Sequence, residues 1–284
     1  MIRSVVKRLL VGGAPLRLQD RGQEFFPRHL ESLIESPADA RALSLLFHGA
    51  TLITALGEPP RGQLLQDAFA AGVVSRIGGE STYLEIGGGP PVDHSNSESL
   101  DRLGWRGVVV EPNPEFADQY AAVRSARTTL RQTAVVADSA GQTHMSLVSA
   151  GELSYLEGAV TPPDDVWKSM RDEARGRGDL IQVPVVAARD LWADVVGAIG
   201  VPSFLSVDVE GGEIDVLRSL PLQDERPMIV MAETSLDAER IREMDHLMSD
   251  RGFVRVLAAA SQWDNWYLSS EADLDAGLLA DPSR

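Results

Sequence analysis

After Gly78 the chain alternates short, uniformly apolar β-rich runs with stretches of helical periodicity, and this alternation constrains its fold more than any other feature. The runs are YLEI (83–86), GVVVEP (107–112), TAVVAD (133–138), IQVPVV (181–186), FLSVDV (204–209), MIVMAE (228–233), FVRVL (253–257) and NWYLS (265–269), with a hairpin-like THMSLV at 143–148. Helical segments fill most of the gaps: one ends near Leu103, one starts at Pro114, and others span 187–198, 212–219 and 236–250. Strands alternating with helices build right-handed βαβ units, and strands without a polar face belong to a sheet covered on both sides. The expected fold is α/β, with a doubly wound, mainly parallel sheet.

Before Gly78 the texture differs. Apolar residues recur at spacings of three and four (Leu30, Leu33, Ile34; Ala42, Leu43, Leu45, Leu46; Leu64, Leu65, Phe69), punctuated by Pro27, Pro37 and the pair Pro59-Pro60. The expected division is a helical extension over 1–78 and a ligand-binding domain over 79–284. Near the start, Lys7 and Arg8 interrupt the apolar run, so a secretory signal peptide is not expected, and no stretch reaches the length of a membrane span. Val5, Val6, Leu9 and Leu10 opposite Arg3, Lys7 and Arg8 form a short basic amphipathic pattern that either packs on the body or touches an anionic surface.

Composition excludes several chemistries. With no cysteine among 284 residues, thiolate catalysis, Cys-ligated zinc, iron–sulfur clusters and a disulfide framework are all ruled out, and a reducing cytoplasm is the default expectation. The first 80 residues carry 9 Lys and Arg against 8 Asp and Glu, so the remainder carries 17 against 34. A body at −17 repels phosphate backbones, which argues against nucleic acid as a substrate.

In a doubly wound sheet the ligand sits beyond the carboxyl ends of the strands, where strand order reverses. The first run ends in Glu85-Ile86-Gly87-Gly88-Gly89-Pro90-Pro91, a glycine turn that lets a ligand approach the backbone and its amides. The second ends in Glu111, 24 residues after Gly87, followed by Pro112 and Asn113. An acidic residue there accepts hydrogen bonds from both ribose hydroxyls, so a nucleoside-containing cofactor is indicated. A dinucleotide fingerprint would need a third glycine where Val92 stands, and no phosphate-cradling G-x-x-x-x-G-K-[ST] loop occurs. Glu85 beside the turn repels pyrophosphate and suits a cation. S-adenosylmethionine is such a ligand, with Asp138 placed to meet the adenine amine and Asp208 to face the methionine end.

The segment from Gln63 to Leu217 resembles the FkbM-type family of S-adenosylmethionine-dependent methyltransferases, a branch of the class I fold, and the resemblance implies a seven-stranded sheet of Rossmann-like type. The resemblance rests on Gln63, Gln66 and Asp67 ahead of the first strand, on His94-Ser95-Asn96, on LGWRGVVVEPNPEF at 103–116, and on Ser206-Val207-Asp208-Val209-Glu210-Gly211-Gly212-Glu213. The family usually reads Gly-Ala-Asn-Asp-Gly in the first turn, whereas this chain has Gly87-Gly88-Gly89-Pro90-Pro91. The resemblance implies Glu85, Gly87 and Gly88 at the methionine end, Glu111 on the ribose, and Ala137 with Asp138 beside the adenine. It also implies an O-methyltransferase acting on a hydroxyl of a small molecule or sugar in secondary-metabolite or glycan biosynthesis.

Methyl transfer is an in-line displacement on a sulfonium, so the protein must align the partners and take the acceptor's proton. Asp208 and His94 are the catalytic candidates; of the histidines at 29, 48, 94, 144 and 246, only His94 falls in the first turn region. Asp208 with Glu233, ending adjacent runs, could alternatively bind a divalent metal through carboxylate oxygens. The long connection 159–179, with Trp167, Lys168, Arg171, Arg175 and Arg177, reads either as a lid or as a solvated surface helix. Two competing functions stand beside methyl transfer: an NAD-dependent oxidoreductase or epimerase, which the missing third glycine opposes, and a non-catalytic cofactor-binding scaffold. The sequence leaves open the acceptor's identity, a metal requirement and a homo-oligomer.

Overall fold

The computed structural model describes residues 34–152, 154–158, 168–169, 172–173, 175–176, 178–234 and 237–272. The basic amphipathic pattern at the start and most of the connection 159–179 lie outside the described residues.

Helices α1 (Pro37–Thr54) and α2 (Gln66–Ile77) come first, followed by β1 (Thr82–Ile86), α3 (Glu98–Arg102), β2 (Arg106–Val110), α4 (Pro114–Val123) and β3 (Thr128–Arg131). After β4 (Ala134–Val136), β5 (His144–Ser149), β6 (Tyr155–Leu156) and β7 (Asp179–Ala187), the chain returns through α5 (Ala188–Ile199) to β8 (Phe204–Val207). It finishes with α6 (Glu213–Ser219), β9 (Ile229–Glu233), α7 (Ala238–Asp250), β10 (Phe253–Val256) and β11 (Asp264–Ser269).

Seven strands form one sheet in the order β10-β11-β9-β8-β1-β2-β3. All neighbouring pairs are parallel except β11, which runs antiparallel to both β9 and β10. The chain leaves β1 toward β2 and β3 on one side and resumes at β8 on the other, so the order reverses between β1 and β8. The expected doubly wound sheet is therefore present, with one correction: its third strand is Thr128–Arg131, not the 133–138 run. That run contributes β4 to a second sheet of order β4-β7-β5-β6, where Ala134 pairs with Val185. The true third strand is an edge strand whose residues alternate between half-buried and exposed, so it lacks the apolar signature of the central strands.

Alternate residues of the central strands feed two separate cores. Tyr83, Phe204, Ile229, Met231 and Trp266 face α1 and α2, together with Leu100 of α3 and Phe116 and Tyr120 of α4. On the other face Leu84, Ile86, Leu205, Val207 and Val230 meet Trp192 of α5, Leu217 of α6, and Met244 and Met248 of α7. α1 is tied to the end of β10 by Asp39, whose Oδ1 accepts the Leu257 N–H at 2.7 Å while Oδ2 completes a capping box with Ser36.

The two N-terminal helices cross at very close range because glycines face each other. A Cβ built on Gly72 would stand 1.8 Å from the Leu45 carbonyl oxygen, and one on Gly49 would stand 1.8 Å from that of Ala68. Gly72→Val should therefore force the helices apart and lower the unfolding free energy by at least about 1–3 kcal/mol, the usual cost of overpacking. Denaturant unfolding checks this, and wild-type stability in the variant would contradict so close a crossing.

Candidate active site

The carboxyl ends of β1, β2 and β8 are joined by backbone hydrogen bonds. Gly87 and Gly88 donate to the Val110 carbonyl at 2.8 and 3.2 Å, and Asp208 donates to that of Ile86 at 2.8 Å. Gly87 has φ +82°, and a Cβ there would lie 1.5 Å from the Asp208 carbonyl oxygen, so only glycine fits between the two strand ends. A Cβ on Gly88 would meet Val109 and the Tyr120 hydroxyl, whereas the space around Gly89 is open.

A cavity of about 490 Å³ opens over these strand ends. Of the residues expected from the sequence, Glu85, Gly87, Gly88, Gly89, His94, Glu111, Pro112 and Asp208 line it. Asn113 does not. It is fully buried and caps α4 through Oδ1, which accepts the Glu115 N–H at 3.1 Å. Ala137 and Asp138 are also not among the lining residues; Asp138 is exposed and accepts the Ala140 N–H in a local turn. Thr133, Ala134 and Val135 line that side of the cavity instead, because β4 pairs with β7 and turns its carboxyl end away.

Glu111 is oriented through both of its carboxylate oxygens. Its Oε2 accepts the Gly89 N–H at 2.8 Å and its Oε1 the Asn113 N–H at 2.7 Å, while the carboxylate remains part of the cavity wall. Burial pushes its pKa up to about 7, against the two amide bonds that favour the charged form. Glu85 serves the loop after β1: Oε1 accepts the Asn96 N–H at 2.8 Å and Oε2 the Ser97 hydroxyl. His94 follows in the left-handed region at φ +62°, and its Nδ1 lies 3.1 Å from Glu152 Oε2, which leaves Nε2 free of that contact.

On the β8 side, Glu213 shapes the turn. Its Oε1 accepts the N–H groups of Val209 and Gly211 at 3.1 and 2.7 Å, and its Oε2 meets Arg240 at 3.1 Å. Turn closure thus falls to Glu213, while Glu210, at φ +58°, lines the cavity. Asp208 Oδ1 is out of solvent and has no hydrogen-bond partner, and a hydrogen bond joins the Asp208 and Glu233 carboxyls. Burial, with the Asp208 charge next to it, holds the Glu233 pKa well above the usual carboxylate range. Carboxylate oxygens of Asp208, Glu210 and Glu233 all lie within 4.8 Å of one another, a donor set of the kind a hard divalent cation uses.

Sequence reasoning missed part of the wall. Gln66 donates from Nε2 to Asp264 Oδ2 at 2.6 Å across 198 residues of chain, and both line the cavity beside Trp263. Burial lifts the Asp264 pKa to about 7. Glu152, Ser154 and Tyr155, around β6, close the side next to His94. No local signal in the sequence marks any of these beyond the presence of Gln63 and Gln66 in the quoted motif. Among the described residues seven carboxylates line the cavity (Glu85, Glu111, Glu152, Asp208, Glu210, Glu233 and Asp264), with no Lys or Arg.

The sheet order, with its antiparallel strand next to the edge, is that of the class I methyltransferases. Residues 85–255 match the methyltransferase FkbM domain, and the chain belongs to that family. Family membership sets aside the NAD-dependent reading and implies S-adenosylmethionine as the methyl donor. No curated protein matches the chain. Among solved structures, a precorrin-6y C5,15-methyltransferase from Geobacter metallireducens GS-15 aligns over 66% of this chain and 72% of its own, at 11% identity and a TM-score of 0.29. So loose a likeness carries no argument. Among the described residues no helix is long and apolar enough to cross a membrane.

The raised pKa of Glu111 has a definite consequence for stability. The unfolded carboxyl ionises near its ordinary value of 4.5 and the folded one near about 7, so the folded chain binds the extra proton between those limits. Stability associated with this group is full below the unfolded pKa and is lost as pH rises through that window, by up to about 3 kcal/mol between pH 5 and 8. Denaturant unfolding of Glu111→Gln across that range should show a correspondingly shallower decline than the wild type; parallel profiles would mean that Glu111 is ionised throughout.

Proposed function

We propose that this chain is an S-adenosylmethionine-dependent O-methyltransferase whose acceptor is a hydroxyl of a small molecule or sugar. The observation that carries this reading is the orientation of Glu111 by Gly89 and Asn113, across the strand-order reversal from the buried Asp208 carboxyl that lines the same cavity. On this reading Glu111 accepts the ribose hydroxyls, and Gly87, Gly88 and Gly89 with Pro112 form the floor beneath the donor. Thr133, Ala134 and Val135 take the adenine side that the sequence assigned to Ala137 and Asp138. The acid-lined wall suits a sulfonium and an ammonium and disfavours phosphorylated acceptors and nucleic acid.

The donor supplies an electrophilic methyl group; the chain's residues align the acceptor and receive its proton. Asp208 would orient the acceptor hydroxyl toward that methyl group and take its proton as the oxygen becomes the ether. His94, held by Glu152, approaches from the first-turn side and positions the acceptor. The sheet domain, 79–284, carries the donor site, while the extension, 1–78, contributes Gln63 and Gln66 to the acceptor side.

Glu111→Gln should weaken S-adenosylhomocysteine binding by about 1.5–3 kcal/mol, the size of a lost charged hydrogen bond. Unchanged affinity by calorimetry would remove Glu111 from the ribose.

Asp208→Asn should lower turnover by about 10²-fold or more, as loss of a general base does, and His94→Ala should lower it less. Activity lost to a chelator and restored by magnesium would instead make Asp208, Glu210 and Glu233 the holders of a divalent cation. Full turnover in Asp208→Asn, with and without chelator, would leave alignment alone as the source of rate.

A further inference from the structure

The turn that carries Gly87-Gly88-Gly89 is flexible by composition, since glycine loses more conformational freedom on folding than any other residue. Something outside the turn has to hold it if the amide of Gly89 is to stay on Glu111. From the β2 side it is held by the Val110 carbonyl. Beyond the turn, one side chain reaches both ends of residues 91–97.

We propose that Arg124 is a positioning residue that holds the loop after β1 in its cofactor-binding shape. Its Nε donates to the Pro91 carbonyl at 2.9 Å, its Nη1 to Ser97 Oγ at 3.1 Å and its Nη2 to Ser95 Oγ at 2.7 Å. One planar guanidinium thus engages both ends of the segment containing His94 and Asn96. Glu85 grips the same segment from beneath, through Asn96 N–H and the Ser97 hydroxyl, so Ser97 links a buried anion to the cation above it.

The placement of Arg124 couples this grip to the ribose end. It follows the last residue of α4, whose first turn is capped by Asn113, the residue that also orients Glu111. Its guanidinium lies 5.4 Å from the centre of the Tyr120 ring, and the Tyr120 hydroxyl fills the space where Gly88 lacks a side chain. A single helix therefore supports the glycine turn from below with Tyr120 and restrains the following loop with Arg124. Three donors in a fixed plane are needed to reach a carbonyl and two hydroxyls at once; lysine offers a point charge on a flexible stem and cannot reproduce that fork.

The inference rests on the reading of the cavity as the donor site, and the test separates the two. The measurements are calorimetric titration with S-adenosylhomocysteine, thermal unfolding, and hydrogen exchange of the 88–97 amides, on the full chain and its variants. If the binding-competent loop falls to a tenth of the population, the apparent dissociation constant rises tenfold. Arg124→Met should therefore weaken binding about tenfold or more, with faster exchange confined to 88–97, and Arg124→Lys should recover part of the loss. The double variant Ser95→Ala/Ser97→Ala, which keeps the arginine and removes two of its acceptors, should weaken binding about as much as Arg124→Lys. It also keeps the test open if Arg124→Met fails to fold. No binding by the wild type would defeat the donor reading itself. Wild-type binding retained in the folded variants, even with a lowered melting temperature, would overturn the positioning role and leave Arg124 as packing.

Discussion

The fold turns on one contact that tolerates no side chain, where Gly87 at the end of β1 passes the Asp208 carbonyl at the end of β8. These strands flank the reversal of strand order, so their carboxyl ends would diverge and leave a broad groove if any larger residue stood there. With glycine in place, the Asp208 N–H reaches the Ile86 carbonyl and the Gly87 N–H that of Val110, which ties three strand ends together. The acids of the strand ends are positioned around that junction: Glu111 just past β2, Asp208 just past β8, and Glu233 at the end of β9.

The junction also concentrates charge. Parallel strands deliver their carboxyl-terminal residues to one edge, and here four of those ends carry acids: Glu85, Glu111, Asp208 and Glu233. Burying like charges together is unfavourable, and each acid is accommodated differently. Glu85 is covered by a loop amide and a serine hydroxyl, Glu111 by two amides, and Glu233 by a hydrogen bond with the Asp208 carboxyl. The arrangement costs stability in the ligand-free chain, and a cationic ligand offsets that cost, which is why an acid-lined cavity and a sulfonium donor are complementary.

Much of this edge was legible in the sequence because it is local. A glycine turn after an apolar run, an acid ending the next run, and an acid followed by two glycines in FLSVDVEGGE each carry their meaning within a few residues, and Glu85, Gly87, Glu111 and Asp208 all reach the cavity. What was not legible depends on pairing over distance. Nothing in TAVVAD says that it joins β7 some fifty residues later, so the sequence does not reveal that Thr133, Ala134 and Val135, rather than Ala137 and Asp138, line the cavity. Nothing in TTLR distinguishes a half-exposed edge strand from a loop. The Gln66–Asp264 hydrogen bond joins the first helical pair to the last strand, and only the closed fold brings those two residues together.

The motif Asp208-Val209-Glu210-Gly211-Gly212-Glu213 shows how a fold can free one acid by employing another. Glu213 takes the amides of Val209 and Gly211 and the Arg240 guanidinium, which leaves Asp208 only the Glu210 amide from this turn. The left-handed conformation at Glu210 follows from that closure, and it aims the segment so that both acids border the cavity. Asp208 is left with an oxygen that is out of solvent and accepts no hydrogen bond from the folded chain. A buried acceptor in that condition costs about 1–3 kcal/mol, more if it is charged, and folded proteins seldom keep one without a use for it. A hydroxyl, an ammonium or a cation arriving at the carboxyl edge of β8 would supply the missing interaction, which is the physical basis for reading Asp208 as an acid that contacts a ligand.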